Sequence, residues 1–155
     1  MTTGLLSWGA MEDPPVPAAL RARIETDPWA RALAIQWLEL GRGYCRTRLR
    51  LQPHMVNFLG YPHGGVIFTL ADVTLGAASN SHGVDAVALS VTISYLSAVA
   101  PDATLVAEGR QLKQGRRAGF YAITVTTEDG APVAAAQGIV HRVSAQRPVR
   151  RLASR

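Results

Sequence analysis

The sequence contains a single cysteine, Cys45, and almost no lysine, since nearly all of its 16 basic residues are arginine. One cysteine cannot form an intramolecular disulfide. The N-terminus also lacks a basic region followed by a sustained apolar stretch, so we expect a cytoplasmic protein. No uninterrupted apolar run is long enough to cross a bilayer, and we expect no membrane partner.

Sites for cofactors and metals are also missing from the sequence. It has no internal repeat, no glycine-rich phosphate loop and no cluster with the spacing of zinc ligands. The histidines are scattered, at His54, His63, His82 and His141. We therefore expect neither a metal nor a cofactor.

The charge balance favours anionic partners without choosing among them. The chain of 155 residues carries 16 basic against 11 acidic residues, a net charge of +5. Arg46, Arg48 and Arg50 alternate with apolar and small residues, which is typical of a strand with one buried face. No aromatic residues are interleaved with these arginines, so a solvated strand face is favoured over a nucleic-acid surface.

The chain divides into three parts. Residues 1–26 predict an N-terminal arm with a short helix over 17–24, and the Asp27-Pro28 step is expected to break the chain. Residues 27–143 predict a single domain. Residues 144–155 are basic and contain proline, which predicts a mobile tail.

Within the domain, the hydrophobic patterns predict two strands, one helix and then four strands. We expect a first hairpin over 32–51 and a helix over 66–79. The later strands are predicted at 87–95, 104–112, 119–127 and 133–143. An α+β fold in which one antiparallel sheet wraps around a central helix satisfies this order.

The central helix is predicted to be apolar on all sides and therefore buried. Asp72 is its one charged residue, and a buried carboxylate needs a partner, water or a chemical role. A capped or interface aspartate and a catalytic carboxylate are both compatible with this position. Apolar surroundings would raise the pKa of Asp72 and make it a better base near neutral pH.

Gly64 and Gly65 open the helix and expose backbone N–H groups that could stabilise an oxyanion. Asp72 lies eight positions after Gly64, which is about 12 Å along a helix axis. If both residues act on one substrate atom, Asp72 must come from a neighbouring copy. The spacing therefore predicts, on that condition, a homodimer with two composite sites.

The segments Asn57, His63-Gly64-Gly65 and Leu70-Ala71-Asp72 together resemble the signature of the hotdog-fold acyl-CoA thioesterases, and most closely their phenylacetate-degradation subfamily. The resemblance extends from Asp27-Pro28-Trp29 to about Arg142. It implies a hotdog fold and a homodimer that pairs again into a homotetramer.

The resemblance also implies roles for individual residues. Asp72 would be the nucleophile or general base, and the N–H of Gly64 would polarise the thioester carbonyl. Asn57 and His63 would position the carbonyl or a water molecule, and Ser90 would assist the carboxylate across the interface. Coenzyme A would enter only as part of the substrate.

The expected substrate is a phenylacetyl-CoA-like or medium-chain acyl-CoA. Guanidinium groups suit the phosphates of coenzyme A. The residues expected to bind substrate are Gly65, Phe58, Tyr61 and Leu75, with Arg116 and Arg117 for the phosphates. A hotdog acyl-thioester hydratase or dehydratase and a non-catalytic acyl-CoA-binding protein remain alternatives.

Overall fold

The computed structural model describes residues 14–143, so the predicted tail (144–155) and residues 1–13 of the predicted arm lie outside the described residues. Two helices come first, α1 (Ala18–Glu25) and α2 (Pro28–Ala32), followed by strands β1 (Gln36–Gly41) and β2 (Tyr44–Arg50). A short 3-10 helix (Pro53–Met55) precedes the long helix α3 (Gly64–Asn80). The remaining strands are β3 (Ala86–Tyr95), β4 (Thr104–Gln114), β5 (Ala118–Thr127) and β6 (Pro132–Arg142).

The six strands form one antiparallel sheet in the order β1-β2-β4-β5-β6-β3, and α3 packs against one side of it in contact with all six. The buried side chains of α3, including Leu70 and Leu75, meet inward-facing residues such as Leu105 and Ile123. The predicted hotdog fold, an α+β arrangement of one sheet around one long helix, is confirmed.

Two close contacts hold α3 to the sheet. The hydroxyl groups of Thr74 on α3 and Thr47 on β2 lie 2.7 Å apart, and the Thr74 hydroxyl also lies 2.7 Å from the Leu70 carbonyl oxygen. On β6, Gly138 leaves room for Leu75, whose Cδ2 atom lies 2.5 Å from the place a Cβ atom would occupy. Cys45 on β2 is also fully buried on this inner face.

The C-terminal end of α3 is tied to the beginning of β3. The Asn80 side chain donates to the carbonyl oxygen of Ala86 and accepts from its N–H, both at 3.0 Å. Because α3 and β3 run in opposite directions, the other end of β3 lies beside the N-terminus of α3. This places Tyr95 next to Gly64.

The segment before β1 differs from its prediction. Asp27 does not simply break the chain: its carboxylate caps α2 by accepting from the N–H groups of Trp29 and Ala30, each at 2.8 Å. Pro28 occupies the first turn, where it loses no hydrogen bond. Ala34 then adopts φ 56°, so the first strand begins at Gln36 and not at residue 32.

The arginine face of β2 carries ion pairs. Arg46 pairs with Glu39 at 3.0 Å and Arg48 with Glu128 at 3.1 Å, while Arg50 lies 3.6 Å from Asp102. These partners come from the neighbouring strand and from two loops on the outer face. The prediction that these arginines lie on the outward face of a strand whose other face is buried is confirmed.

The prediction that α3 is buried on all sides is wrong, because the sheet covers only one side of it. Gly65 and Gly76 are exposed, and Thr69 and Asp72 are only partly buried. Their spacing of three or four residues puts them on one helix face. We call these four residues the open face of α3.

Strand β3 lies at an edge of the sheet, and none of its ten residues is buried. Its apolar side chains Val87 and Leu89 are 52% and 64% exposed. A long apolar edge strand of this kind is a template for pairing with another strand. Within residues 14–143, no helix is both long and apolar enough to span a membrane.

Candidate active site

The first turn of α3 leaves one backbone donor free. His63 caps the helix: its Nδ1 atom accepts from the Gly65 N–H at 3.0 Å, and its carbonyl oxygen accepts from Val66 and Ile67. The N–H of Gly64 has no acceptor among the described residues. Because this N–H also lies at the positive end of the helix dipole, it is suited to bind a developing oxyanion.

The hydrogen bond that caps α3 also determines the tautomer of the His63 ring. Because Nδ1 accepts a hydrogen bond, it carries no proton, and the neutral ring holds its proton on Nε2. His63 is exposed, so the Nε2–H group is free to donate to a carbonyl oxygen or a water molecule. This agrees with a positioning role.

Tyr95 holds the Gly64 segment in place. Its hydroxyl donates to the Gly64 carbonyl oxygen at 2.9 Å, and its Cζ atom lies 3.1 Å from where a Cβ atom of residue 64 would be. Tyr95 therefore occupies the space that a side chain at position 64 would need. Beside them is a cavity of about 330 Å³, which Tyr61, Ile67 and Leu96 also line.

Asn57 shapes the loop before α3. Its side-chain oxygen accepts from the N–H groups of Leu59 and Tyr61, at 2.9 and 3.2 Å, and its backbone N–H donates to the Tyr61 carbonyl oxygen. Gly60 has a φ of 81°, which allows the tight turn between them. With its oxygen engaged, the Asn57 side chain has its amide NH2 group left to donate.

Asp72 lies in the middle of the open face of α3. Burial raises the pKa of its carboxyl above the ordinary value of 3.8, and the negative charge of nearby Asp27 raises it further. Asp27 belongs to the α2 cap, so α2 brings a second carboxylate close to the open face. A carboxylate with a raised pKa is a stronger base once it has lost its proton.

Ser90 does not face α3. The strand register places it opposite Ile139, an exposed residue on the outer side of the sheet, whereas its neighbours Gly138 and Val140 are buried on the inner side. A β-bulge between Ala88 and Ser90 shifts the alternation of side chains. The inward residues of β3 next to the bulge, Ala88 and Val91, carry no hydroxyl, so the predicted role of Ser90 conflicts with its position.

The predicted substrate-binding residues lie in different places. Gly65 is at the site, while Phe58 is 96% exposed in the loop before α3. Tyr61 lines the cavity beside Gly64, but Leu75 is fully buried against Gly138 in the core. Arg116 and Arg117 are exposed in the turn between β4 and β5, beside Arg142. That turn lies at the end of the sheet where β3 begins, and hence near the C-terminal end of α3.

His63, Gly64 and Gly65 lie together at the start of α3, and Asn57 lies in the loop before it. Asp72 lies further along the same helix. The separation of eight residues corresponds to about 12 Å in an α-helix. No group of three or more metal-ligating side chains forms within residues 14–143. The candidate site therefore consists of two separate parts of α3. One is its N-terminus, which we call the donor end because the Gly64 N–H lies there. The other is the Asp72 carboxylate.

Two residues at the site were missed in the sequence. Asp27 was interpreted as a chain break, although aspartate before proline is also a common way to begin a helix. Tyr95 was placed correctly on a strand, but its contact with Gly64 depends on the relative direction of β3 and α3. Of the two, only Asp27 has a signal in the neighbouring sequence, the proline that follows it, from which its role as a helix cap could have been predicted.

The hotdog sheet, the long helix α3 and the donor end at its N-terminus are the features from which the class of this protein can be identified. A model of the thioesterase superfamily matches residues 59–134, in which both Gly64 and Asp72 lie. Together with the relatives below, this match shows that the chain belongs to the thioesterase superfamily and is a thioesterase of the PaaI type.

The chain is similar to the acyl-coenzyme A thioesterase PaaI of Escherichia coli, with 33% identity over 79% of this chain and 87% of that protein. The structure of E. coli PaaI, from the phenylacetic acid degradation operon, matches with a TM-score of 0.76 and 32% identity, covering 79% of this chain and 89% of the other. A Streptococcus mutans protein bound to acetyl CoA matches with a TM-score of 0.68 and 31% identity, over 70% of this chain and 88% of that one. An Archaeoglobus fulgidus protein is 35% identical over 72% of each chain.

Proposed function

We propose that this protein hydrolyses the thioester of phenylacetyl-CoA-like or medium-chain acyl-CoA substrates, with Asp72 as the nucleophile or general base and the Gly64 N–H as the oxyanion donor. The free N–H of Gly64 carries the proposal, because the rest of the first turn of α3 is already hydrogen-bonded. The acyl-CoA relatives support the substrate class.

The proposed chemistry uses groups that the chain supplies. The carbonyl carbon of the thioester is attacked either by a water molecule that gives its proton to Asp72 or by the Asp72 carboxylate itself. The negative charge that develops on the carbonyl oxygen is bound by the Gly64 N–H. In the first route the C–S bond breaks as Asp72 passes the proton to sulfur, so coenzyme A leaves as the thiol and the acyl group as the acid. In the second route coenzyme A leaves while the acyl group stays on Asp72 as a mixed anhydride. Water then hydrolyses the anhydride, which releases the acid, restores the carboxylate and supplies the proton that the thiol takes up.

We further propose that each site combines Gly64 of one protomer with Asp72 of its partner. The open face of α3 and the exposed edge strand β3 support a homodimer, because both are apolar or small-residue surfaces that a second copy could cover. In an antiparallel pairing of two α3 helices, Gly64 of one chain lies near Asp72 of the other. The separation of about 12 Å within one chain then does not prevent the two residues from acting on the same substrate. Pairing of dimers into a homotetramer is part of the same proposal.

Arg116 and Arg117 are the proposed contacts for the phosphates of coenzyme A. They are exposed, and Arg142 adds a third guanidinium group beside the same turn. Their turn lies near the C-terminal end of α3, about 24 Å along the helix from Gly64 of the same chain. They would therefore serve a site together with Asp72 of their own chain and Gly64 of the partner.

The proposal is tested by two substitutions that remove one group each. Asp72→Asn removes the base and should lower kcat about 10²–10⁴-fold. Gly64→Pro removes the N–H at a helix position where proline is favoured, but its side chain also meets Tyr95. Gly64→Ala adds the same Cβ atom and keeps the N–H, so it is the steric control. The N–H itself should account for a further loss of kcat of about 10²–10³-fold between Gly64→Ala and Gly64→Pro. Release of thiol is measured with phenylacetyl-CoA, hexanoyl-CoA, decanoyl-CoA and acetyl-CoA.

Thermal unfolding provides the control for folding. The folded-state pKa of Asp72 is raised, so the native protein loses stability as pH rises from the unfolded pKa to the folded one. Asp72→Asn should therefore unfold at a higher temperature than wild type at pH 7, and this advantage should vanish in acid. An inactive Asp72→Asn variant that is also less stable at pH 7 would contradict the assignment of Asp72, as would retention of most of the activity.

A further inference from the structure

A cleft of about 310 Å³ lies between α2 and the N-terminal half of α3. Trp29 on α2 and Leu33 at its C-terminal cap form one wall, Val66 and Thr69 on α3 form the other, and Met55 and Val56 also line the cleft. We call this the α2–α3 cleft. All of its walls belong to one chain, and Gly65 and Thr69 on the α3 side are part of the open face of α3.

The cleft is continuous with the donor end of the active site. His63 and Gly65 also line it, and these residues form the cap that leaves the Gly64 N–H free. Thr69 lies three residues before Asp72, on the same face of α3 and about 4.5 Å away along the axis. A thioester held at Gly64 therefore has the cleft directly beside it.

The lining suits an apolar group and not a phosphate. Among residues 14–143, no aspartate, glutamate, lysine or arginine lines the α2–α3 cleft, and its polar members besides Thr69 are His54 and His63. The Trp29 side chain is 57% exposed, so a large aromatic surface is available at its entrance. Cavities with mostly apolar walls and a few polar groups are typical binding sites for small apolar ligands.

Two other cavities near the site are less suitable. The cavity of about 290 Å³ between α1, β1 and the C-terminal half of α3 is lined by three charged residues, Arg23, Asp27 and Asp85. The cavity beside Gly64 and Tyr95 is lined by no residue of the open face of α3, where Asp72 lies. The α2–α3 cleft includes two residues of that face, Gly65 and Thr69.

We infer that the acyl group of the substrate occupies the α2–α3 cleft and that Trp29 determines the preference for aromatic or extended acyl groups over acetyl. This inference rests on the proposed function. The sequence predicts that Phe58, Tyr61 and Leu75 bind the acyl group. The inference assigns acyl binding to the cleft beside α2 instead. The ligand class is an apolar acyl group larger than acetyl, held against an indole ring.

The test compares selectivity, expressed as kcat/KM for phenylacetyl-CoA divided by kcat/KM for acetyl-CoA. Trp29→Ala should lower this ratio about 10-fold or more, in the range expected for loss of one apolar contact surface. Thr69→Leu narrows the cleft from the opposite wall and should lower the same ratio. Arg31→Ala is the matched control, because Arg31 is exposed on α2 and does not line the cleft, so the ratio should stay at its wild-type value.

The outcomes separate this inference from the proposed function. If wild type releases no thiol from any substrate in the panel, the proposed function fails. If wild type is active but neither Trp29→Ala nor Thr69→Leu changes the ratio, the cleft is not the acyl site, although the thioesterase assignment stands. A ratio that falls in Phe58→Ala but not in Trp29→Ala would return acyl recognition to the loop before α3.

Discussion

At the scale of single residues, the chemistry depends on how α2 and β3 hold groups against α3. Tyr95 fixes the Gly64 segment through one hydrogen bond, and His63 uses one ring nitrogen as a helix cap. Asp27 caps α2 and at the same time places its charge near Asp72. Each of these residues therefore makes a hydrogen bond that stabilises the fold, and each also orients a group of the site or changes its pKa.

The charge of Asp27 leads to a pH prediction. In its proposed role Asp72 must be ionised, so kcat/KM should rise with pH through the pKa of Asp72, which lies above 3.8. Asp27→Asn keeps the helix cap, because asparagine caps as well as aspartate, but removes the repulsion. The acidic limb of the profile should therefore move to lower pH, while the rate on the plateau changes little.

This profile is measured as kcat/KM between pH 4 and 8 with one substrate. A limb that stays at its wild-type position in Asp27→Asn would show that the charge of Asp27 does not reach Asp72 in the assembled enzyme. Asp85→Asn serves as the comparison, since Asp85 is paired with Arg23 and is not among the groups that raise the pKa of Asp72.

Among the residues of the candidate site, the sequence could place those that form a local motif. Gly64, His63 and Asn57 lie within one loop and one helix turn, so their spacing along the chain was enough to place them at the start of α3. Ser90 was misplaced because a one-residue bulge in β3 reverses the faces of the strand, and nothing in the alternating pattern marks it. Tyr95 and Asp27 reach the site from other elements, and spacing along the chain cannot show such contacts.

At the scale of elements, the sheet and α3 followed from hydrophobic periodicity, and the observed bounds lie close to those predicted. The pattern of α3 was apolar on every side, however, and could not show which side the sheet leaves open. That depends on the curvature of the sheet and on the number of strands that reach around the helix. The five-residue helix α2 was also missed, because its sequence is too short for a periodic pattern.

The contact between α3 and β6 gives a stability prediction. Gly138→Ala would place a methyl group against the Leu75 side chain, which is fully buried and cannot move away freely. Such overpacking typically costs about 1–3 kcal/mol of unfolding free energy. Chemical denaturation should show a loss of this size, with the slope against denaturant unchanged.

The comparison for this contact is Gly76→Ala, since a Cβ atom at Gly76 meets no atom of residues 14–143 within 4 Å. Alanine in a helix interior is favoured over glycine, so Gly76→Ala should be neutral or stabilising in an isolated chain. Equal losses in both variants would mean that crowding at Leu75 is not the cause.

At the scale of the whole molecule, the composite site predicts complementation between two inactive chains. In a mixed dimer of Asp72→Asn and Gly64→Pro, one of the two sites receives an intact Gly64 and an intact Asp72. With random pairing, half of the dimers are mixed, so co-expression should restore about a quarter of the wild-type activity. The measurement is thiol release by the co-purified mixture compared with each variant alone.

If the two groups acted within one chain, no mixed dimer would contain a working site and the mixture would stay inactive. Analytical ultracentrifugation of both variants must show the wild-type assembly, so that a failure to pair cannot imitate this result. Restored activity would place Gly64 and Asp72 on different chains without any need to see the interface.

The burial of Cys45 affects whether the product of the proposed reaction can react with the protein by disulfide exchange. Each turnover of the proposed reaction releases coenzyme A, a free thiol that can oxidise and then exchange with protein cysteines. Cys45 is fully enclosed between the sheet and the helices, and burial raises the pKa of its thiol to about 12. Because exchange requires the thiolate, the only cysteine of the chain stays inert at neutral pH, and accumulated product cannot become covalently attached to it.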